Sequence, residues 1–119
     1  MYAQELSTAA QFGARIIVLV VNNGLYGTIR MHQARRFPGR PSATTIEGPD
    51  MVALARSFGA YAERIEETAD FEAAFERAVT AGRLALLDLV TDPDQITPTL
   101  RLTDQAESTT QRLQLDGLK

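Results

Sequence analysis

The chain has no cysteine and no tryptophan, one histidine, one lysine, and no long apolar run. Without cysteine there is no disulfide and no thiolate metal site, and a reducing, cytoplasmic setting is favoured. The longest apolar stretch, Ile16 to Val21, is far short of the roughly 20 residues that a membrane-spanning helix needs. Residues 1–15 carry no basic segment followed by an apolar one, so a secretory signal is not expected. An excess of positive charge is also missing. Fifteen acidic residues face twelve basic ones, giving a net charge of −3, which argues against nucleic acid as a partner. Eleven of the twelve basic residues are arginine, a compositional habit rather than a site. There is no GxGxxG or GxxxxGK[ST] phosphate loop and no nucleophile elbow.

What is present is an ordinary globular composition, 45% hydrophobic, in 119 residues: room for one small domain. Residues 2–14 have helical spacing at Tyr2, Leu6, Ala9, Ala10 and Gly13. The β-branched run Ile16–Val21 is continuous rather than alternating, which predicts a strand covered on both faces, as in a parallel α/β sheet. A second helix is expected over 25–36, with Arg30, Arg35 and Arg36 outward, and an irregular stretch from Phe37 to Gly48. Pro49-Asp50 opens a helix that Gly59 stops. A short strand follows over Ala60–Ile65. Then comes a helix over Phe71–Ala81, capped by Thr68 or Asp70, with Phe71, Ala74, Phe75 and Ala78 on one face. Leu84–Val90 is the last strand, and Asp92-Pro-Asp-Gln closes it. The polar tail carries a loose helix over Asp104–Leu115, anchored by Leu113, Leu115 and Leu118. Strands alternating with helices predict parallel neighbours. The first helix has no strand before it, so the sheet looks like the back part of a domain.

Asn22-Asn23-Gly24 is the most informative triplet. It can be a hairpin turn, since Asn-Gly is a strong signal for one. It can also be a site, since ligands of open α/β sheets bind beyond the carboxyl ends of strands. Amide and carbonyl oxygens in a glycine-bearing turn suit Mg²⁺, which also wants a carboxylate, and none stands nearby in sequence. Other candidates have plainer readings. His32 is a lone surface or packing residue. Arg35, Arg36 and Arg40 around Pro38-Gly39 are a solvated loop or an anion contact. Glu63, Glu66 and Glu67 are a solvated strand end, and Phe58, Phe71 and Phe75 are core.

Taken together, QELSTAAQFGARIIVLVVNNGLYGTIR resembles the end of the thiamine-diphosphate binding motif. That motif opens on Gly-Asp-Gly, passes through a segment matched here by Met1, Gln4, Glu5, Leu6, Thr8 and Ala9, and closes on an Asn pair matched by Asn22 and Asn23. NGLYGTIRMHQ, the FPGR loop, PDMVALARSFGA and DLVTDPDQITP are similar to acetolactate-synthase-like and benzoylformate-decarboxylase-like enzymes. The resemblance runs over residues 1–98. It implies an incomplete thiamine-diphosphate-binding fold lacking its first strands, with 99–119 as a polar tail.

It further implies that Asn23 binds Mg²⁺ through its side chain and Leu25 through its backbone carbonyl. Gly24 lets the loop bend around the ion, and Tyr26 and Gly27 lie beside the cofactor or substrate channel; a packed loop aromatic is the other reading of Tyr26. The parent would be a decarboxylase or carboligase, a lyase or transferase, that acts on 2-keto acids as a homo-oligomer. The Gly-Asp-Gly carboxylate and the family's activating glutamate are both absent, and Glu5 matches the helix motif rather than that glutamate. The chain is therefore expected to be the C-terminal portion of a cofactor domain, with no catalytic residue of its own and inactive alone. A stand-alone, non-catalytic binding or assembly module is the alternative, and a receiver-type regulator fits less well.

Overall fold

The structure, a computed structural model, describes residues 3–116. The chain folds as two compact units, residues 1–22 with 48–91 and residues 23–47 with 92–119. Met1, Tyr2 and Leu118, assigned above to the motif, the first helix and the tail, lie outside the described residues, as does the side chain of Leu113.

The first unit holds α1 (Glu5–Gln11), β1 (Ile17–Asn22), α3 (Met51–Ser57), β2 (Tyr61–Ile65), α4 (Phe71–Thr80) and β3 (Ala85–Val90); α2 (Gly27–Arg36) belongs to the second. The three strands are parallel in the order β1–β3–β2, with Ile17 and Tyr61 both opposite Ala85. The last of these three strands in sequence therefore sits in the middle of the sheet. Its composition explains this: a central strand is buried on both faces, and Ala85, Leu86, Leu87 and Asp88 are all buried. Leu84 and Leu86 join Ala55, Ala60 and Ala62 in one cluster, against which Leu6 and Ala9 of α1 and Val18 and Val20 of β1 pack. Ala85 and Leu87 join Ile65, Ala74 and Ala78 in a second cluster beneath α4. The sheet is thus the middle layer between helices. Leu87, with no exposed surface, is central to it, and truncation to alanine would cost about 2–5 kcal/mol.

The helix boundaries follow local signals. Asp50 caps α3, its carboxylate accepting from the Val52 and Ala53 amides at 2.9 and 3.0 Å. Gly13, Gly59 and Gly82, just past α1, α3 and α4, take the left-handed conformation that ends a helix, at φ 63°, 78° and 62°. Two expectations at α4 change. Neither Thr68 nor Asp70 caps it through a side chain; both lie in a single 3₁₀ turn, Thr68–Asp70, that leads into it. Phe71 and Phe75 are rim rather than core, at 36% and 38% exposed with ring centroids 5.8 Å apart, because the small Ala74 and Ala78 are the residues that meet the sheet.

The expectation that Ile16–Val21 is covered on both faces is also corrected. Among the described residues β1 is an edge strand. Val18 and Val20 pack inward, whereas Leu19 and Val21 are 45% and 70% exposed.

The second unit contains α2, an antiparallel β-ribbon of β4 (Gln95–Thr97) and β5 (Leu100–Arg101), and α5 (Leu102–Asp116). The ribbon was not expected, since neither strand is long enough to show a period. The tail helix is longer than the expected 104–115 and starts earlier, at Leu102. Asp94 caps it, accepting from the Thr103 amide and hydroxyl, both at 3.0 Å, and the Asp94 carbonyl accepts from the Leu102 amide at 2.9 Å. Arg101 binds Asp92 at 2.9 Å and Asp94 at 2.8 Å, which holds the Asp94 carboxyl below its usual range. α5 packs on α2, and Arg35 donates to Gln105. Leu115, expected to anchor the tail, is 65% exposed.

Candidate functional site

The Asn22–Tyr26 segment leaves the carboxyl end of a parallel strand and enters α2, so the hairpin reading is excluded. Asn22 is the last residue of β1. Its carbonyl accepts from the Thr91 amide at 3.0 Å and its side-chain amide donates to Asp88 Oδ1 at 3.2 Å.

Asn23 forms an Asx turn: its Oδ1 accepts from the Leu25 amide at 3.1 Å. Gly24 makes the turn possible at φ 63°, where a side chain would be strained. Leu25 then makes an antiparallel bridge with Thr45. The bonds of that bridge are carried by its neighbours, Tyr26 N–H to the Thr44 carbonyl at 2.9 Å and Ile46 N–H to the Gly24 carbonyl at 2.8 Å. In such a ladder the N–H and C=O of the residue between point together to the opposite edge. The Leu25 carbonyl therefore lies on the edge where its own amide meets Asn23 Oδ1. Asn23 Oδ1, with one lone pair already engaged, and the Leu25 carbonyl are both uncharged oxygens. The donor set fits a hard cation, which takes amide and carbonyl oxygens, and it brings no charge of its own. Among the described residues no three His, Cys, Asp or Glu side chains gather as a metal cluster.

Gly27 is close behind. A Cβ placed there would stand 3.1 Å from Asn23 Nδ2 and 3.3 Å from Ile96 Cδ1, so the absence of a side chain at Gly27 leaves Asn23 its room. Tyr26 is 55% exposed, which removes the reading of it as a packed loop aromatic.

The other candidates fall apart spatially. His32 is exposed on α2, and Arg35, Arg36 and Arg40 are exposed as well. Arg30 is not the outward residue expected: it donates to Thr44 Oγ1 and, at 3.1 Å, to Thr45 Oγ1. Glu63 is not a solvated strand end, because it accepts from Tyr61 Oη at 2.6 Å and from both Arg77 Nε and Nη2, at 3.1 and 2.5 Å. That guanidinium holds its carboxyl below the ordinary range. Glu66 and Glu67 are exposed, as expected. Sequence reasoning missed the Ser42–Ile46 strap that pairs with the loop. Its run of hydroxyl residues after Pro41 was the only signal, and no periodicity marks a single bridge.

Comparison with known proteins now places the chain. The family described as "Thiamine pyrophosphate enzyme, C-terminal TPP binding domain" matches residues 1–89, and the chain belongs to it. A probable acetolactate synthase large subunit of Methanocaldococcus jannaschii is 29% identical over 99 residues, 82% of this chain and 17% of that protein. The acetolactate synthase large subunit of Haemophilus influenzae is 30% identical over 97 residues, 80% of this chain and again 17% of the relative. Among solved structures, the thiamine diphosphate-dependent 4-hydroxybenzoylformate decarboxylase of Rhodococcus jostii RHA1 superposes with a TM-score of 0.68 at 28% identity. The match covers 78% of this chain and 18% of that one. The chain thus spans under a fifth of the length of these relatives. No helix among the described residues is long and apolar enough to cross a membrane.

Proposed function

We propose that this chain supplies part of the thiamine diphosphate and Mg²⁺ site of a cytoplasmic, homo-oligomeric enzyme acting on 2-keto acids, an acetolactate-synthase-like carboligase or a decarboxylase. Residues 1–98 are read as the cofactor-domain portion and 99–119 as an appended tail. The observation that carries the reading is the Asx turn in which Asn23 Oδ1 accepts from the Leu25 amide, placed at the carboxyl end of a parallel strand. Asn23 and Leu25 would hold the cation, Gly24 would shape the turn and the exposed Tyr26 would face the cofactor. The cofactor, when bound, supplies the electron sink for breaking the bond to the carboxyl carbon of a 2-keto acid. This chain's share is binding and orientation. The carboxylate ligand and the proton-transfer glutamate would come from residues outside these 119, so the chain alone catalyses nothing.

Two measurements test this. Calorimetry on the 119-residue chain should show no micromolar, Mg²⁺-dependent binding of thiamine diphosphate, because two neutral oxygens without a carboxylate hold a divalent cation only weakly, in the millimolar range. In an enzyme that joins this chain to the rest of a cofactor domain, Asn23→Ala should weaken cofactor retention by about tenfold or more, on the scale of lost metal-shell contacts. Unchanged retention would overturn the ligand assignment.

A further inference from the structure

We propose that Arg30, Gln33 and Thr44 form a latch that sets the shape of the Asn23–Tyr26 loop and so act as positioning residues for the cation. The inference rests on the reading of Asn23 and Leu25 as metal oxygens. It starts from Thr44, 2% exposed and one of two buried polar side chains, with Asp88, among the described residues. A buried hydroxyl must find partners. Thr44 Oγ1 accepts from Arg30 Nε and donates to Gln33 Oε1 at 3.4 Å.

Arg30 and Gln33 are three apart on α2 and share a face. Arg30 also holds Thr45 Oγ1 at 3.1 Å. Gln33 binds the Ser42 backbone twice, donating from Nε2 to the carbonyl at 2.7 Å and accepting from the amide at 3.1 Å. Between Ser42 and Thr44 lies Ala43 at φ 51°, a left-handed conformation that a non-glycine residue keeps only where its surroundings over-determine it. The side chains of α2 thus fasten one edge of the strap. Its other edge makes the two backbone bonds, to Tyr26 N–H and from Ile46 N–H, that turn the Leu25 carbonyl outward. Loosening the latch frees the strap, and the direction of that carbonyl goes with it. A loop whose oxygens are aimed beforehand need not be ordered when the ion arrives.

Amide hydrogen exchange in the 119-residue chain reads the latch without any metal. Thr44→Val should speed exchange at the Tyr26 and Ile46 amides at least tenfold while the Leu87 amide in the sheet is unchanged. Thr44→Ser should restore protection. Arg30→Met should have the same local effect and serves where Thr44→Val does not fold. Unchanged protection at Tyr26 and Ile46 in the folded variants would overturn the latch. A titration with Mn²⁺ alone at millimolar concentration, followed by paramagnetic broadening of the Asn23 side-chain amide, reads its consequence. The midpoint should rise at least threefold in the latch variants and return with Thr44→Ser. Lost protection with an unmoved midpoint would overturn the link to the cation. No broadening at Asn23 in the unaltered chain would overturn the metal reading and with it the positioning role, the latch itself still being judged by exchange.

Discussion

Asn22, at the end of β1, donates its side-chain amide to the fully buried carboxylate of Asp88 on β3 at 3.2 Å. The register sets Asn22 opposite Val90 and Asp88 opposite Val20, so this is the diagonal contact that side chains on one sheet face can reach. Arg64 on β2 completes the arrangement, donating to Asp88 Oδ2 at 3.0 Å and lying 3.7 Å from Asp50. One carboxylate therefore ties all three strands near the ends from which the candidate loop departs. Asp88→Ala removes the hydrogen bonds from Asn22 and Arg64 to this carboxylate and should cost about 2–3 kcal/mol, the scale of lost hydrogen bonds to a charged group. Asp88→Asn keeps an acceptor for Asn22 and should cost less. Urea unfolding measures both, and equal losses would show that Arg64 carries the whole effect.

Gly27→Ala should disturb the site while leaving the fold intact. Gly27 opens α2, where alanine is the better helix former, so global stability should hold. The new methyl would press on Asn23 Nδ2, 3.1 Å away. The Asn23 side-chain amide resonances should shift and the Leu25 amide, held by Asn23 Oδ1, should exchange faster. Unmoved resonances would show that Asn23 has slack.

Acid should destabilise the chain through Glu63, Asp94 and Asp50. Their folded carboxyls sit below the ordinary range, held by Arg77, by Arg101 and by the Ala53 backbone amide respectively. A carboxyl that binds protons less readily when folded contributes stability that is fully present above its unfolded pKa, about 4. That contribution fades as the pH falls through the lowered folded value. Thermal melts from pH 7 to pH 3 should decline toward the acid end, and less steeply in Asp50→Asn, which keeps a capping oxygen but does not titrate. Parallel slopes would remove Asp50 from the account.

Self-association is expected through β1, in line with the proposed oligomer. It is an edge strand with Leu19 and Val21 exposed, and such an edge offers unpaired backbone groups beside apolar surface. Sedimentation over a concentration series should show growth in mass that Val21→Lys reduces. A chain that stays monomeric at high concentration would refute this.

The elements of the parallel sheet and its helices were legible because each carries a local cause, whereas the β4–β5 ribbon was not. A β-branched run, a capping Asp50, and glycines at the three helix ends act through residues a few positions apart. The parallel class followed from alternation alone, and Asn22, Asn23 and Gly24 could be singled out because an amide pair and a glycine interrupt a strand at a fixed place, whereas Leu25 entered only through the family resemblance. Side-chain burial was less legible. Phe71 and Phe75 have core chemistry but meet the sheet only at its rim, and the apolarity of Leu19 and Val21 does not tell whether anything covers them.

Strand identity, helix limits and the turn at Gly24 were determined by the sequence itself, through covalent geometry, periodicity and short-range hydrogen bonds. Only tertiary structure decided that β3 lies between β1 and β2, that Asp88 gathers Asn22 and Arg64, and that Arg30 and Gln33 reach across to Ser42 and Thr44. Those pairings join residues from 9 to 66 positions apart. Nothing in a local window encodes such a contact, because the free energy that selects it comes from burying one particular carboxylate or hydroxyl where only distant partners can satisfy it.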